Sequence, residues 1–283
     1  MSFEEYYKNV PSYQREMLRL FRVTHPRQQT TINETCWTYI YAGEGEKTVL
    51  WLTGGLRVAD MAFQSILKLE AHYRVIAPDY PALESMNDLV DGLAALLDQL
   101  GVETTAIISD WFGGMVAQVF VRRYPHRVSK IILTNVPPPE PKRIDFYRTR
   151  YNMLRWLPDF WVLQLIKSIF FKITSPYAEM AEFYAAFFDE LFAERLHKED
   201  ILSMLRCVEE YCTYQFTPTD LDHWEGSILI TNDESNAIFN LSNHKHMQFL
   251  YPNAQTFSFK SSSYTSLEHR QEAFYQRVRT FFE

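Results

Sequence analysis

Cysteine is scarce in this chain: Cys36, Cys207 and Cys212 are the only three in 283 residues. They show no CxxC spacing and their number is odd, so neither a disulfide framework nor a thiolate metal site is expected. The pattern suits buried thiols in a reducing compartment. No uninterrupted apolar segment reaches the roughly 18 residues that a membrane-spanning helix needs. The start, Met1-Ser2-Phe3-Glu4-Glu5-Tyr6-Tyr7, is acidic and no apolar stretch of signal-peptide type follows it, which makes the cytoplasm the expected location. Positive charge is short as well. Lys and Arg total 28 against 35 Asp and Glu, and the formal charge of −7 argues against nucleic acid or an anionic membrane as the main partner. Internal repeats and low-complexity tracts are absent.

What remains is an ordinary globular composition, 47% hydrophobic and 22% charged, sufficient to bury a full core. The length suits one large α/β domain with an insertion, or two domains. Aromatics reach 16%, with 21 Phe and 17 Tyr. That excess fits an aromatic-lined cavity or interface, and equally fits surplus core packing.

Residues Ser12 to Thr24 carry Met17, Leu18, Leu20 and Phe21 at helical spacing, predicting an amphipathic leader. Strands are predicted at Cys36–Tyr41, at Thr48–Leu52 (apolar on both faces, as in a buried parallel strand) and at Tyr73–Ala77. A helix is expected over Met61–Ala71. Leu89, Leu93, Leu96, Leu97 and Leu100 share one face of another across Asn87–Leu100. Thr104–Ile108 and Val128–Leu133 read as further buried strands, with a helix Gly114–Arg123 between them. This alternation predicts an α/β fold with a mostly parallel central sheet flanked by helices. From Glu140 to about His223 no strand signal occurs. The segment is helical and dense in aromatics, and it reads as an inserted cap of four or five helices. The expected organisation is therefore a core of residues 1–139 and 224–283 with a helical cap over 140–223. A strand Ser227–Thr231, a helix around Asn243–Tyr251, a strand Gln255–Phe259 and a helix Glu268–Phe282 complete the core.

The stretch Ile107-Ile108-Ser109-Asp110-Trp111-Phe112-Gly113-Gly114 carries the chemistry. A β-branched run stops and a helix-forming run begins at once, with small residues at the junction. Such a strand–turn–helix resembles the nucleophile elbow of α/β-hydrolases. Its apex needs small neighbours two positions before and after, because the strand and helix backbones approach closely there. Trp111 has Ser109 and Gly113 in those places, whereas Asp110 would have Ile108 and Phe112. Sterics thus put Trp111 where a nucleophile would sit, and an indole offers no atom for acyl transfer.

From about residue 36 onward the chain resembles the α/β-hydrolase superfamily. Tyr73–Ala77, Tyr80-Pro81, Asp91-Gly92, Leu96-Leu97-Asp98 and Leu250-Tyr251-Pro252-Asn253-Ala254 resemble its maspardin branch, which implies an adaptor without the usual histidine. The resemblance implies a triad in chain order, whose positions fall on Trp111, Ser235 and Ser263. Asp233 and Glu234 flank the acid position, and the loop around Ser263 holds no histidine. His269, a few residues on, reads as a solvated side chain. An oxyanion hole would draw on the Phe112 amide and on Gly54 or Gly55. A Trp apex at positive φ would carry strain of ~1–3 kcal/mol unless the indole packs well.

These readings point to a non-catalytic α/β-hydrolase-fold protein, a pseudoenzyme with a degenerate triad. It would bind a protein partner or an apolar small ligand between core and cap, without cofactor or metal. Two alternatives stay open: Asp110 as a dehalogenase-like nucleophile, and a non-hydrolytic enzyme on this fold. His244 and His246, spaced i,i+2, do not share a helix face for a metal. The apolar stretch Trp156–Ile166 with Ile169-Phe170-Phe171 reads as cap helices packed on the core, or as a lid or docking surface.

Overall fold

A computed structural model describes residues 1–174, 180–233, 241–259 and 267–283. The chain opens with helices α1 (Phe3–Tyr6) and α2 (Ser12–Thr24). Strands β1 (Gln28–Ile32), β2 (Thr35–Ala42) and β3 (Thr48–Leu52) follow, then α3 (Phe63–Leu69), β4 (Arg74–Pro78) and α4 (Met86–Gln99). Next come β5 (Thr105–Asp110), α5 (Trp111–Arg123) and β6 (Val128–Thr134). Four helices then occur without an intervening strand among the described residues: α6 (Ile144–Leu154), α7 (Asp159–Thr174), α8 (Ala181–Glu194) and α9 (Lys198–Tyr211). The chain closes through β7 (Ser227–Asp233), α10 (Leu241–Leu250), β8 (Gln255–Phe259) and α11 (Leu267–Phe282).

The eight strands form one sheet in the order β1-β2-β4-β3-β5-β6-β7-β8. From β4 to β8 every pairing is parallel, and β1–β2 and β2–β4 are antiparallel. The β-branched runs fill both faces because side chains alternate along a strand. Ile107 of β5 and Ile131 and Leu133 of β6 point to the side of α4 and α5, while Ile108 and Ile132 point to the side of α3 and α11.

Two features depart from the sequence expectations. Strand β1 was not foreseen, because Gln28-Gln29-Thr30-Thr31-Ile32 has almost no apolar alternation. It exists as an edge strand paired to β2 across Asn33-Glu34, both at positive φ (47° and 64°), the geometry of a tight two-residue hairpin. Cys36 is exposed, not buried, while Cys207 and Cys212 are buried as expected. On β2 the alternation sends Trp37 inward and leaves Cys36 on the open face. The predicted amphipathic leader is the helix α2, and it packs on α8 as well as on the core. Leu18 and Phe21 join the buried cluster of Phe183, Phe187 and Phe188 from α8. Arg22 donates twice to Glu190 at 2.8 Å, and the Tyr7 hydroxyl donates to Glu190 at 2.7 Å.

Candidate functional site

Strand β5 runs straight into α5, and the backbone reverses between them: φ is −129° at Asp110 and +39° at Trp111. Two residues past Trp111, a Cβ on Gly113 would stand 2.1 Å from the Leu52 carbonyl oxygen of β3. Two residues before it, buried Ser109 donates its hydroxyl to the Ile132 carbonyl at 2.8 Å. The small residues are what let α5 begin against the sheet.

The half-buried Trp111 indole packs over the loop that follows β3. A Cβ on Gly55 would meet indole Cζ3 at 2.8 Å and the Phe170 ring of α7 at 3.2 Å. The indole therefore fills the space beside Gly55. Phe112 is fully buried with its ring edge-on to Tyr80, centroids 5.5 Å apart. Its amide is in the first turn of α5, where N–H groups have no acceptor within the helix.

Asp110 faces inward beneath the same loop. A Cβ on Gly54 would come within 2.8 Å of its Oδ2, and its carboxylate accepts from the Asn135 side chain and the Trp111 backbone. Burial pushes its pKa up to about 7, against those two hydrogen bonds. A carboxyl that is largely protonated below neutral pH is a poor attacking group. Cys212 lines the neighbouring cavity, but burial raises its thiol to about 11, so it holds no thiolate at neutral pH.

That cavity measures only about 60 Å³ and is walled by Trp111, Met115, Asn135, Tyr147, Tyr211 and Cys212 among others. This volume holds a few waters, whereas sites for drug-sized ligands span roughly 300–1,000 Å³. Beneath it runs a buried polar chain. The Gln118 amide donates to the Tyr211 hydroxyl at 2.8 Å and its carbonyl accepts from Tyr251 at 2.7 Å, while Tyr211 donates to the Pro137 carbonyl at 2.9 Å.

The remaining sequence-predicted positions are described only in part. Ser235, Glu234 and Ser263 lie outside the described residues, as does the side chain of His269 on α11. Asp233 ends β7 and is not in a loop, because pairing with Phe259 extends the strand that far. His244 is half-buried and His246 exposed on α10, consistent with their different faces.

Sequence reasoning missed Arg57, which is 2% exposed and at φ +61°. Its guanidinium donates to the carbonyls of Asp200 (2.7 Å) and Pro81 (2.6 Å) and to the Ser203 hydroxyl. It thereby joins the loop after β3 to α9. Burial lowers its pKa, and the ring of Phe112 lies 5.5 Å from its Cζ. No local motif announces such a residue, since its acceptors come from backbone far along the chain.

This sheet, with a strand–turn–helix at its centre and helices inserted after β6, is the α/β-hydrolase fold, and solved structures match it throughout. A hydrolase from Pseudomonas aeruginosa PA01 superposes with a TM-score of 0.76 at 16% identity, covering 91% of this chain and 98% of that one. The enol-lactonase of Burkholderia xenovorans LB400 gives 0.74 at 15% identity over 90% and 99%. Similarity in sequence to curated proteins is partial. Rat (Rattus norvegicus) maspardin is 32% identical over 124 residues, 41% of this chain and 47% of that protein. A homoserine O-acetyltransferase of Thermus thermophilus is 42% identical over 72 residues, 25% and 19% of the two chains. The chain thus spans less than half the length of these curated relatives. No family model matches it.

Proposed function

We propose that this chain is a non-catalytic α/β-hydrolase-fold protein that binds a partner through the crevice between its sheet and the helices inserted after β6. The observation that carries the reading is Trp111 at the strand–helix turn, with its indole over Gly55 and against Phe170. Attack on an acyl carbon needs a nucleophile at that turn and room in front of it. Here an inert ring takes both. Of the two other groups near the turn with nucleophilic potential, Cys212 stays a thiol at neutral pH and Asp110, with its pKa raised to about 7, is only partly ionised there. The partial similarity to maspardin supports an adaptor role. A cavity of about 60 Å³ favours a protein partner over an enclosed apolar ligand, which would require Trp111 and Phe170 to move apart.

Purified protein is expected to hydrolyse neither short-chain p-nitrophenyl esters nor haloalkanes above the buffer rate. Ester turnover abolished by Phe112→Pro, which removes the first-turn amide, would overturn the proposal. Halide release abolished by Asp110→Asn would instead establish the dehalogenase-like alternative.

A further inference from the structure

The α6–α7 corner presents an apolar surface that the fold leaves uncovered. Residues 155–161 are all exposed, with Trp156 at 77% and Phe160 and Trp161 at 65%. Leu165 and Ile169 continue the stripe from Trp161 at four-residue spacing, so one face of α7 is apolar and bare. The opposite face is occupied: Val162 is fully buried with Leu154, Ile201 and Leu205, and Phe170 packs inward. Met153 and Phe146 extend the exposed surface onto α6. Scattered apolar side chains are normal on a protein surface, but a contiguous set of this kind marks an interaction site.

Its charge sets it apart from the rest of the molecule. Residues 140–174 hold seven Lys and Arg against three Asp and Glu, inside a chain of net charge −7, although Arg148 is paired with Glu209 of α9 and Lys167 with Asp189 of α8. Exposed Arg150 and Arg155 have no carboxylate within ion-pairing distance among the described residues. Their guanidinium carbons stand 3.3 Å from the Phe146 ring centroid and 5.0 Å from that of Trp156, which leaves their N–H edges open to oxygen acceptors. Charges act over about a Debye length, about 8–10 Å in physiological salt, so this local sign governs contact, not the net charge.

We propose that the α6–α7 corner docks on an anionic phospholipid surface. Trp156, Phe160 and Trp161 would enter the headgroup layer, and Arg150 and Arg155 would bind lipid phosphates. No described helix is long and apolar enough to cross a membrane, so the contact is peripheral. The residues involved are not those that wall the crevice, so failure of this proposal leaves the previous one intact.

The test is flotation of the full chain with phosphatidylcholine vesicles, with and without about a third phosphatidylserine. Binding should rise by about tenfold or more with phosphatidylserine and fall with added salt. The variants Trp156→Ser/Phe160→Ser/Trp161→Ser and Arg150→Glu/Arg155→Glu should each lose it while keeping the wild-type circular dichroism spectrum. In the wild type, vesicles should also slow hydrogen exchange in residues 150–172. Equal binding to both vesicle types, or unchanged binding by both variants, would overturn the proposal. So would a dimer in sedimentation that the serine variant dissociates, since a second copy would then cover this face.

Discussion

Replacing Asp110 by Asn should stabilise the protein at alkaline pH and leave it unchanged in acid. The folded chain holds the Asp110 proton up to about pH 7, against a reference value of 3.8. Below pH 4 both folded and unfolded chains are protonated there, and the carboxyl costs nothing. Between pH 4 and 7 only the folded state retains the proton, so stability falls as pH rises. Above pH 7 the folded carboxylate is ionised and the loss is complete. The interval from 3.8 to about 7, at ~1.4 kcal/mol per tenfold change in proton affinity, sets a ceiling of about 4 kcal/mol. Asp110 is only half-buried as a residue, and solvent screening brings the expected gain for Asn to about 2–3 kcal/mol. The Asn oxygen can still accept from Trp111 or Asn135, so little should be lost in return. Urea unfolding of both proteins from pH 4 to 8 measures the difference, with other titrating groups cancelling. A variant that is less stable at pH 8, or a difference independent of pH, would refute the reasoning. In that case the favourable field at the start of α5 would outweigh desolvation.

Two further substitutions test the geometry around the turn. Gly113→Ala drives a Cβ into the Leu52 carbonyl, which is backbone and cannot swing aside, so unfolding free energy should drop by about 2–3 kcal/mol in a denaturant titration. Arg57→Met keeps the volume but strips donors from the carbonyls of Asp200 and Pro81. It should cost about 2–4 kcal/mol and speed amide exchange in α9, and an unchanged rate there would argue against its tethering role.

Buried parallel strands and the leucine face of α4 were legible because their periods are set by the elements themselves. The Trp111 register was legible too, since Ser109 and Gly113 are the only small pair that flanks a candidate apex. Strand β1 was hidden because an edge strand made of Gln and Thr is held by hairpin hydrogen bonds and hardly at all by burial. The contact of α2 with α8 was hidden for another reason. Both helices show an apolar face, and nothing in either face says that Leu18 and Phe187 end in one buried cluster. Arg57 and the Gln118–Tyr211–Tyr251 chain depend on partners more than 20 residues away, which no local pattern can specify.

The anchoring of Arg57 also decides how the inserted helices can move. With the enclosed Arg57 cation bonded to Asp200 and Ser203 near its start, and Tyr211 bonded to Gln118 at its other end, α9 is fastened to the loop after β3 and to α5. Separation of Trp111 from Phe170 by movement of the helices would then shift α7 against a fixed α9. The outer surface of that same helix carries Trp161 and Leu165, so whatever grips the outside of α7 holds the lever that uncovers the turn.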